Sequence, residues 1–247
     1  MDAAAIEGFF LRAWPALEER ALGSWRLRFA GGYTKRSNSV VLLGGPQRDL
    51  EGSVQKCEAA YAERALPVVF KINDFSPDAG PLDALLEKRG YALADPCLVL
   101  GLDLPEPFSD CGAALAADEA ETPDLDEWLA VHGRLAGLKD VGRHRRIVSR
   151  IDLPCLHAAA RHDGRFAACG LVVLDQPLCA IFDLLVREDV RRRGIGRLLS
   201  RYMLAWAARH GAKRVVLQAL VDNEPAQALY CSLGFVPLYR YWYRRQF

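Results

Sequence analysis

The chain has 247 residues, 51% apolar and 26% charged, with 32 Lys and Arg against 31 Asp and Glu for a formal net charge of +1. At ~100–200 residues per domain, that fits one large globular domain or two small ones. The balanced charge argues against a nucleic-acid coat protein and against a polybasic membrane binder.

In chain order, Ile6 to Ala21 reads as an amphipathic helix that Pro15 interrupts or starts. Trp25 to Phe29 alternates like a strand, Gly31-Gly32 offers a turn, and Ser39 to Leu43 forms a second strand, so the pair reads as a hairpin. Leu50 to Arg64 is helical, Val68 to Ile72 extended, and Leu82 to Arg89 a short helix stopped by Gly90, with extended chain from Tyr91. Leu104 to Glu127, rich in Pro, Ala, Asp and Glu, reads as a linker. Leu125 to Leu138 is helical. Leu156 to Arg161 and Phe166 to Leu174 are strands around the turn at His162-Asp-Gly164, and Ala180 to Val186 is a third. Ile195 to His210 is a helix with the stripe Ile195, Leu198, Leu199, Tyr202, Met203 and Trp206, stopped at Gly211. A strand over Arg214 to Leu220 and a helix over Ala226 to Leu233 follow, and Gly234-Phe235 opens the last strands.

Two stretches match in kind. Leu82-Asp-Ala-Leu-Leu-Glu-Lys-Arg-Gly90-Tyr91 parallels Ala226 to Phe235, and upstream Pro67 to Phe70 parallels Arg214 to Leu217. The shared strand–helix–Gly–aromatic order predicts a duplicated α/β unit.

The seven cysteines, Cys57, Cys97, Cys111, Cys155, Cys169, Cys179 and Cys231, are odd in number and form no CxxC. They read as reduced, buried thiols of a cytoplasmic protein. Cys155 and His157 have a ligand-like spacing, but no neighbour completes a set, so no metal is expected. The N-terminal stretch lacks a basic start and carries acids early, which is unlike a signal peptide. No apolar run approaches the ~20 residues that span a bilayer.

The strongest local signal runs from Asp183 to Leu199. A strand ends, a loop carries Arg191, Arg192 and Arg193 with Gly194 and Gly196, and an amphipathic helix begins at Ile195. Glycines let backbone approach a ligand closely. The first amides of a helix have no internal partner, and the dipole adds positive charge there, which suits a pyrophosphate. Arginines add charge-assisted hydrogen bonds. The spacing is neither a dinucleotide fingerprint nor a Walker loop. A solvated basic turn is the other reading of RRRGIG.

One strand later comes Asn223-Glu-Pro-Ala226-Gln-Ala-Leu229-Tyr230-Cys-Ser-Leu-Gly234-Phe235. RRRGIG together with NxxAxxLYxxxGF resembles the GCN5-related N-acetyltransferase (GNAT) superfamily over about residues 115–247. The N-terminal half resembles the degenerate copy of tandem members. The resemblance implies an α/β fold with a central mixed sheet flanked by helices, in two fused units: 1–104 degenerate and 115–247 catalytic. It implies acetyl-CoA as cosubstrate. The backbone of Leu185 and Val186 would hold the pantetheine, and Arg191, Arg192, Arg193, Gly194, Ile195, Gly196 and Arg197 the pyrophosphate. Asn223 would lie near the pantetheine and Tyr230 near the thioester sulfur.

The chemistry suits these residue types. An amine attacks the thioester and a thiolate leaves, so a proton donor at sulfur helps. Tyr230 can donate; its other reading is a half-buried core tyrosine. The ammonium must first lose a proton, and Asp183, in the apolar run IFDLLV, is the expected base or relay. A strand-end aspartate bonded to a nearby turn is the other reading. Matching Gly90 to Gly234 puts Leu86 opposite Tyr230 and Ala79 opposite Asn223, and the first half has no RxxGxG, so it is expected to bind no cofactor.

Tyr239, Tyr241 and Tyr243 share one strand face and read as packing rather than an acceptor pocket. The basic run Arg143 to Arg150 reads as a solvated helix face or turn rather than a site for an acidic acceptor or the CoA 3′-phosphate, Gly31 to Asn38 as an ordinary loop, and Cys231 as helix packing. The expected reaction is direct acetyl transfer in a ternary complex to an amine of a small molecule or protein. No acyl-cysteine intermediate and no nucleic-acid or membrane partner is expected. Transfer of a different acyl group, or an acyl-CoA sensor without turnover, are the competing readings. The motifs leave the acceptor and the oligomeric state open.

Overall fold

The computed structural model describes residues 2–105, 120–138 and 141–246. They fall into two compact units of a mixed α/β fold. One comprises Met1–Val99, Gln218–Asn223 and Pro237–Phe247, the other Leu100–Leu217 and Glu224–Val236.

In the first unit, α1 (Ala3–Ala13) starts at Asp2, whose carboxylate accepts from the Ala5 amide at 2.7 Å. The helix expected to reach Ala21 stops before Pro15, and Glu18–Leu22 is instead strand β1. Proline has no N–H to donate and excludes the preceding residue from helical backbone. Gly23, at φ +59°, then turns β1 back onto β2 (Trp25–Phe29), pairing Leu22 with Trp25 and Glu18 with Phe29. β2 pairs antiparallel with β3 (Val40–Leu42), as the expected hairpin requires. Helix α2 (Leu50–Ala62) crosses to β4 (Val69–Asn73), which runs parallel to β3. Helix α3 (Ala79–Lys88) ends at Gly90, φ +80°, and β5 (Ala92–Asp103) follows.

The second unit repeats this order. After β6 (Ala120–Glu121), α4 (Leu125–Leu135) and α5 (Gly142–Val148), strands β7 (Cys155–His162), β8 (Arg165–Asp175) and β9 (Leu178–Val186) form an antiparallel meander. Helix α6 (Ile195–Arg209) leads to β10 (Arg214–Leu220), parallel to β9, and α7 (Glu224–Ser232) ends at Gly234, φ +92°. So β1–β2–β3–α2–β4–α3 and β7–β8–β9–α6–β10–α7 share order and strand sense. The strands that come next change places. β11 (Val236–Arg245) pairs antiparallel with β4 in the first unit, while the end of β5 reaches the second, where the Leu104 amide donates to Lys213 at 2.9 Å.

Two further expectations are corrected. The stretch read as a linker is already structured at β6, and Asp124 caps α4 through the Glu127 amide at 2.8 Å; its residues 106–119, with Cys111, lie outside the described residues. Cys231, expected to pack, is exposed, although the other described cysteines are buried or half-buried and all are free.

The first core is built on Trp25, Phe70, Ile72, Leu82, Leu86 and Tyr91. Tyr239, Tyr241 and Tyr243 are buried in that unit, so they pack as expected. Its buried charges are paired internally. Lys71 contacts Glu7, which also accepts from the Tyr239 hydroxyl at 2.8 Å, and Arg28 donates to the Leu11 and Trp14 carbonyls and to Glu19. In the second unit, Gly170 lets α6 close on β8, since a Cβ there would lie 2.7 Å from the Met203 sulfur.

Candidate functional site

The second unit places a strand break beside a bare helix start. The parallel pairing of β9 with β10 runs from Leu178↔Arg214 to Ile181↔Leu217. Beyond it, among the described pairings, β9 keeps partners on β8 alone: Leu185 opposite Cys169 and Val186 opposite Ala168. The β8–β9 register shifts between Cys169 and Leu171, so Asp183 and Leu184 bulge, and Asp183 takes φ +52°. A bulge of this kind re-aims side chains, and a non-glycine residue with positive φ is uncommon in a strand. Leu185 and Val186 are half-buried.

The chain then turns through a short 3-10 segment, Glu188–Val190, into Arg191–Gly194. Arg192 (φ +66°) and Gly194 (φ +83°) adopt left-handed backbone, with extended Arg191 before them. Gly194 is the N-cap of α6, and no side chain caps the helix. The first amides of α6 therefore keep their donor capacity at the positive end of the helix dipole. Gly196 permits close approach: a Cβ there would stand 3.3 Å from Val186 and 3.6 Å from Leu229. Arg191, Arg192, Arg193 and Arg197 are exposed and Ile195 is buried. Arg191 donates to the Val186 carbonyl at 3.2 Å, tying the arginine loop to the end of β9.

Tyr230 lies on α7, buried against Phe235 at 5.7 Å between ring centroids. Burial pushes its hydroxyl up to about 12, so it keeps its proton at neutral pH. Asn223, exposed, belongs to the first unit.

The structure adds residues that the sequence reading does not single out. Asp183 Oδ2 faces two imidazoles, His144 Nε2 at 3.2 Å and His132 Nε2 at 3.8 Å. The rings stack, centroids 4.0 Å apart and 12° from parallel, and Trp128 stacks on His132 at 5.2 Å. The basic run containing His144 is a helix, and its histidine is buried while Arg145 turns outward to Asp126. The available signal was the i, i+4 spacing of Trp128 and His132 on one face of α4. Nothing local pointed to His144.

The chain matches, over residues 2–244, the family described as "Probable histone acetyltransferase Rv0428c C-terminal". It is 30% identical over 250 residues to the uncharacterized N-acetyltransferase YobR of Bacillus subtilis, covering 98% of each chain. Among solved structures it is similar to a GCN5-related N-acetyltransferase from Kribbella flavida, with TM-score 0.71 and 17% identity over 99% of this chain and 95% of that one. A tandem GNAT protein from the clavulanic acid biosynthesis pathway has TM-score 0.65 and 16% identity over 98% and 87%. At those identities the two structures bear on fold alone.

Proposed function

Since the chain belongs to the Rv0428c C-terminal acetyltransferase family, and is thus a GNAT-type acyltransferase, we propose that its second unit binds acetyl-CoA and transfers the acetyl group directly to an amine. The observation that carries this reading is the uncapped, arginine-flanked start of α6, tied to the strand that has just parted from β10.

In this reading the amides of Ile195, Gly196 and Arg197, with the guanidiniums of Arg191, Arg192, Arg193 and Arg197, hold the pyrophosphate. The Gly194 turn and the small Gly196 leave room for it. The backbone of Leu185 and Val186 takes the pantetheine. Asp183 takes the proton that the acceptor ammonium must lose. The freed amine lone pair attacks the thioester carbonyl, the C–N bond forms, and the C–S bond breaks. Tyr230 protonates the departing sulfur, and the second proton shed by the nitrogen restores the phenol. The acceptor is an amine of a small molecule or protein, and the free cysteines suit a reducing cytoplasm. Among the described residues, no helix is long and apolar enough to cross a membrane.

Calorimetry of the full chain with acetyl-CoA, paired with thiol release across a panel of primary amines, tests this. Binding that is lost in Arg191→Glu/Arg193→Glu is expected. No heat with acetyl-CoA on folded protein overturns it.

A further inference from the structure

The proposed base does not stand alone. Asp183 is held at the β9 bulge in left-handed backbone, with its Oδ2 turned to one imidazole from α4 and one from α5. His132 and His144 are both buried, and the Asp183 side chain is 9% exposed. Three titratable side chains thus face one another where water is largely excluded.

Two chemistries use two imidazoles and a carboxylate: a divalent cation site and a proton store. The donor atoms lie within 4.8 Å of one another, which a cation site requires. The ring orientation decides against it. Imidazole lone pairs lie in the ring plane, so two rings 4.0 Å apart and 12° from parallel aim their nitrogens side by side. They do not converge on a point ~2.0–2.1 Å from each nitrogen, as a metal demands. Trp128 fixes that stack, anchored by its indole N–H to the Ala158 and Gly170 carbonyls at 3.2 and 3.0 Å.

From β8, the Cys169 thiol faces the Asp183 carbonyl at 3.9 Å, and burial, followed by the Asp183 charge, pushes that thiol up, so it stays protonated. From β7, His157 lies against Trp128 at 5.3 Å, and burial pushes it down toward the neutral form. A proton arriving at Asp183 meets two imidazoles that face its carboxylate.

We propose that His132, His144 and Asp183 form a proton-sharing triad, in which the stacked imidazoles are positioning residues that receive, through Asp183, the proton lost by the acceptor amine. This deepens the acetyl-transfer reading and rests on it. The balance is simple. The ammonium N–H bond breaks, the proton passes to a ring nitrogen by way of the carboxylate, and the imidazolium formed is neutralised by Asp183 until solvent removes the proton after the acyl group has moved.

The test uses the full chain with labelled histidines. Ring nitrogen resonances of His132 and His144 are followed across pH 4–9 in wild type and Asp183→Asn, with His162 and His210 as internal references. The expected result is that the ring resonances of both histidines change together in Asp183→Asn, with the references unmoved. In the amine-panel assay, the pH profile of kcat/KM shifts in His144→Gln and in His132→Gln, which a purely structural role would not produce. Independent titration indifferent to Asp183→Asn, or a stoichiometric divalent metal in purified protein, overturns the triad. So does a His144→Gln profile superimposable on wild type. Calorimetry with acetyl-CoA separates the two readings: linked histidine resonances without acetyl-CoA binding sink the acetyl-transfer reading and leave only the proton sharing among the three side chains.

Discussion

The same place in the repeated fold is finished in opposite ways. In the first unit, α2 follows β3 and is capped by Asp49, whose carboxylate accepts from the Gly52 amide at 2.9 Å. In the second, α6 follows β9 and begins at Gly194 with no side-chain cap and exposed arginines on both sides. A built-in carboxylate fills the first helix start, and no side chain fills the second. The other end of the repeat differs likewise. On α3 the matching position is Leu86, fully buried in the core, whereas on α7 it is Tyr230, which carries a proton. One scaffold thus supports a self-satisfied unit and a unit with unused donors.

The largest way to break this comparison is at Tyr230. Tyr230→Phe is expected to lower kcat in the amine-panel assay by roughly 10²–10⁴-fold, the usual worth of a positioned proton donor, with acetyl-CoA affinity unchanged by calorimetry. Next, Gly194→Asp puts a carboxylate at the second helix start, on left-handed backbone (φ +83°) that strains it. The acetyl-CoA Kd should rise about 100-fold, since a carboxylate competes for the amides and repels phosphate; an unchanged Kd would remove the contrast. Asp49→Ala should lower stability by about 1 kcal/mol, read as a Tm drop of roughly 2–4 °C, without touching acetyl-CoA affinity.

The smallest effect is confined to the first unit and to acid. Arg244, by hydrogen bonding, holds the Asp83 carboxyl below its ordinary value, helped by the Trp242 indole. A carboxyl depressed by folding stabilises fully above its unfolded value of about 3.9 and loses that contribution as pH falls through the lowered value. Tm measured from pH 2 to 6 should show an acid limb in wild type that Asp83→Asn flattens.

Some of this was legible from residue order alone. The strand–loop–helix passage at Arg191–Gly196, the Gly stops after α3 and α7, and the internal repeat all rest on local backbone preferences, which act within a few residues. Pro15 carried a local signal too, but the choice between helix and strand for Glu18–Leu22 was made by pairing with β2. Side chains that meet across elements were not legible. His144 looked like part of a solvated basic face because its partner, Asp183, is supplied by a strand far along the chain.

Residue order by itself determined most of the elements, their duplication and the helix start suited to an anion, because periodicity, turn glycines and charge act at short range. Only the tertiary structure decided that β11 joins the first unit, that α6 stays uncapped where α2 is closed, and that two histidines converge on Asp183. Those outcomes depend on which surfaces become buried together, and burial is a property of the packed chain rather than of any window within it.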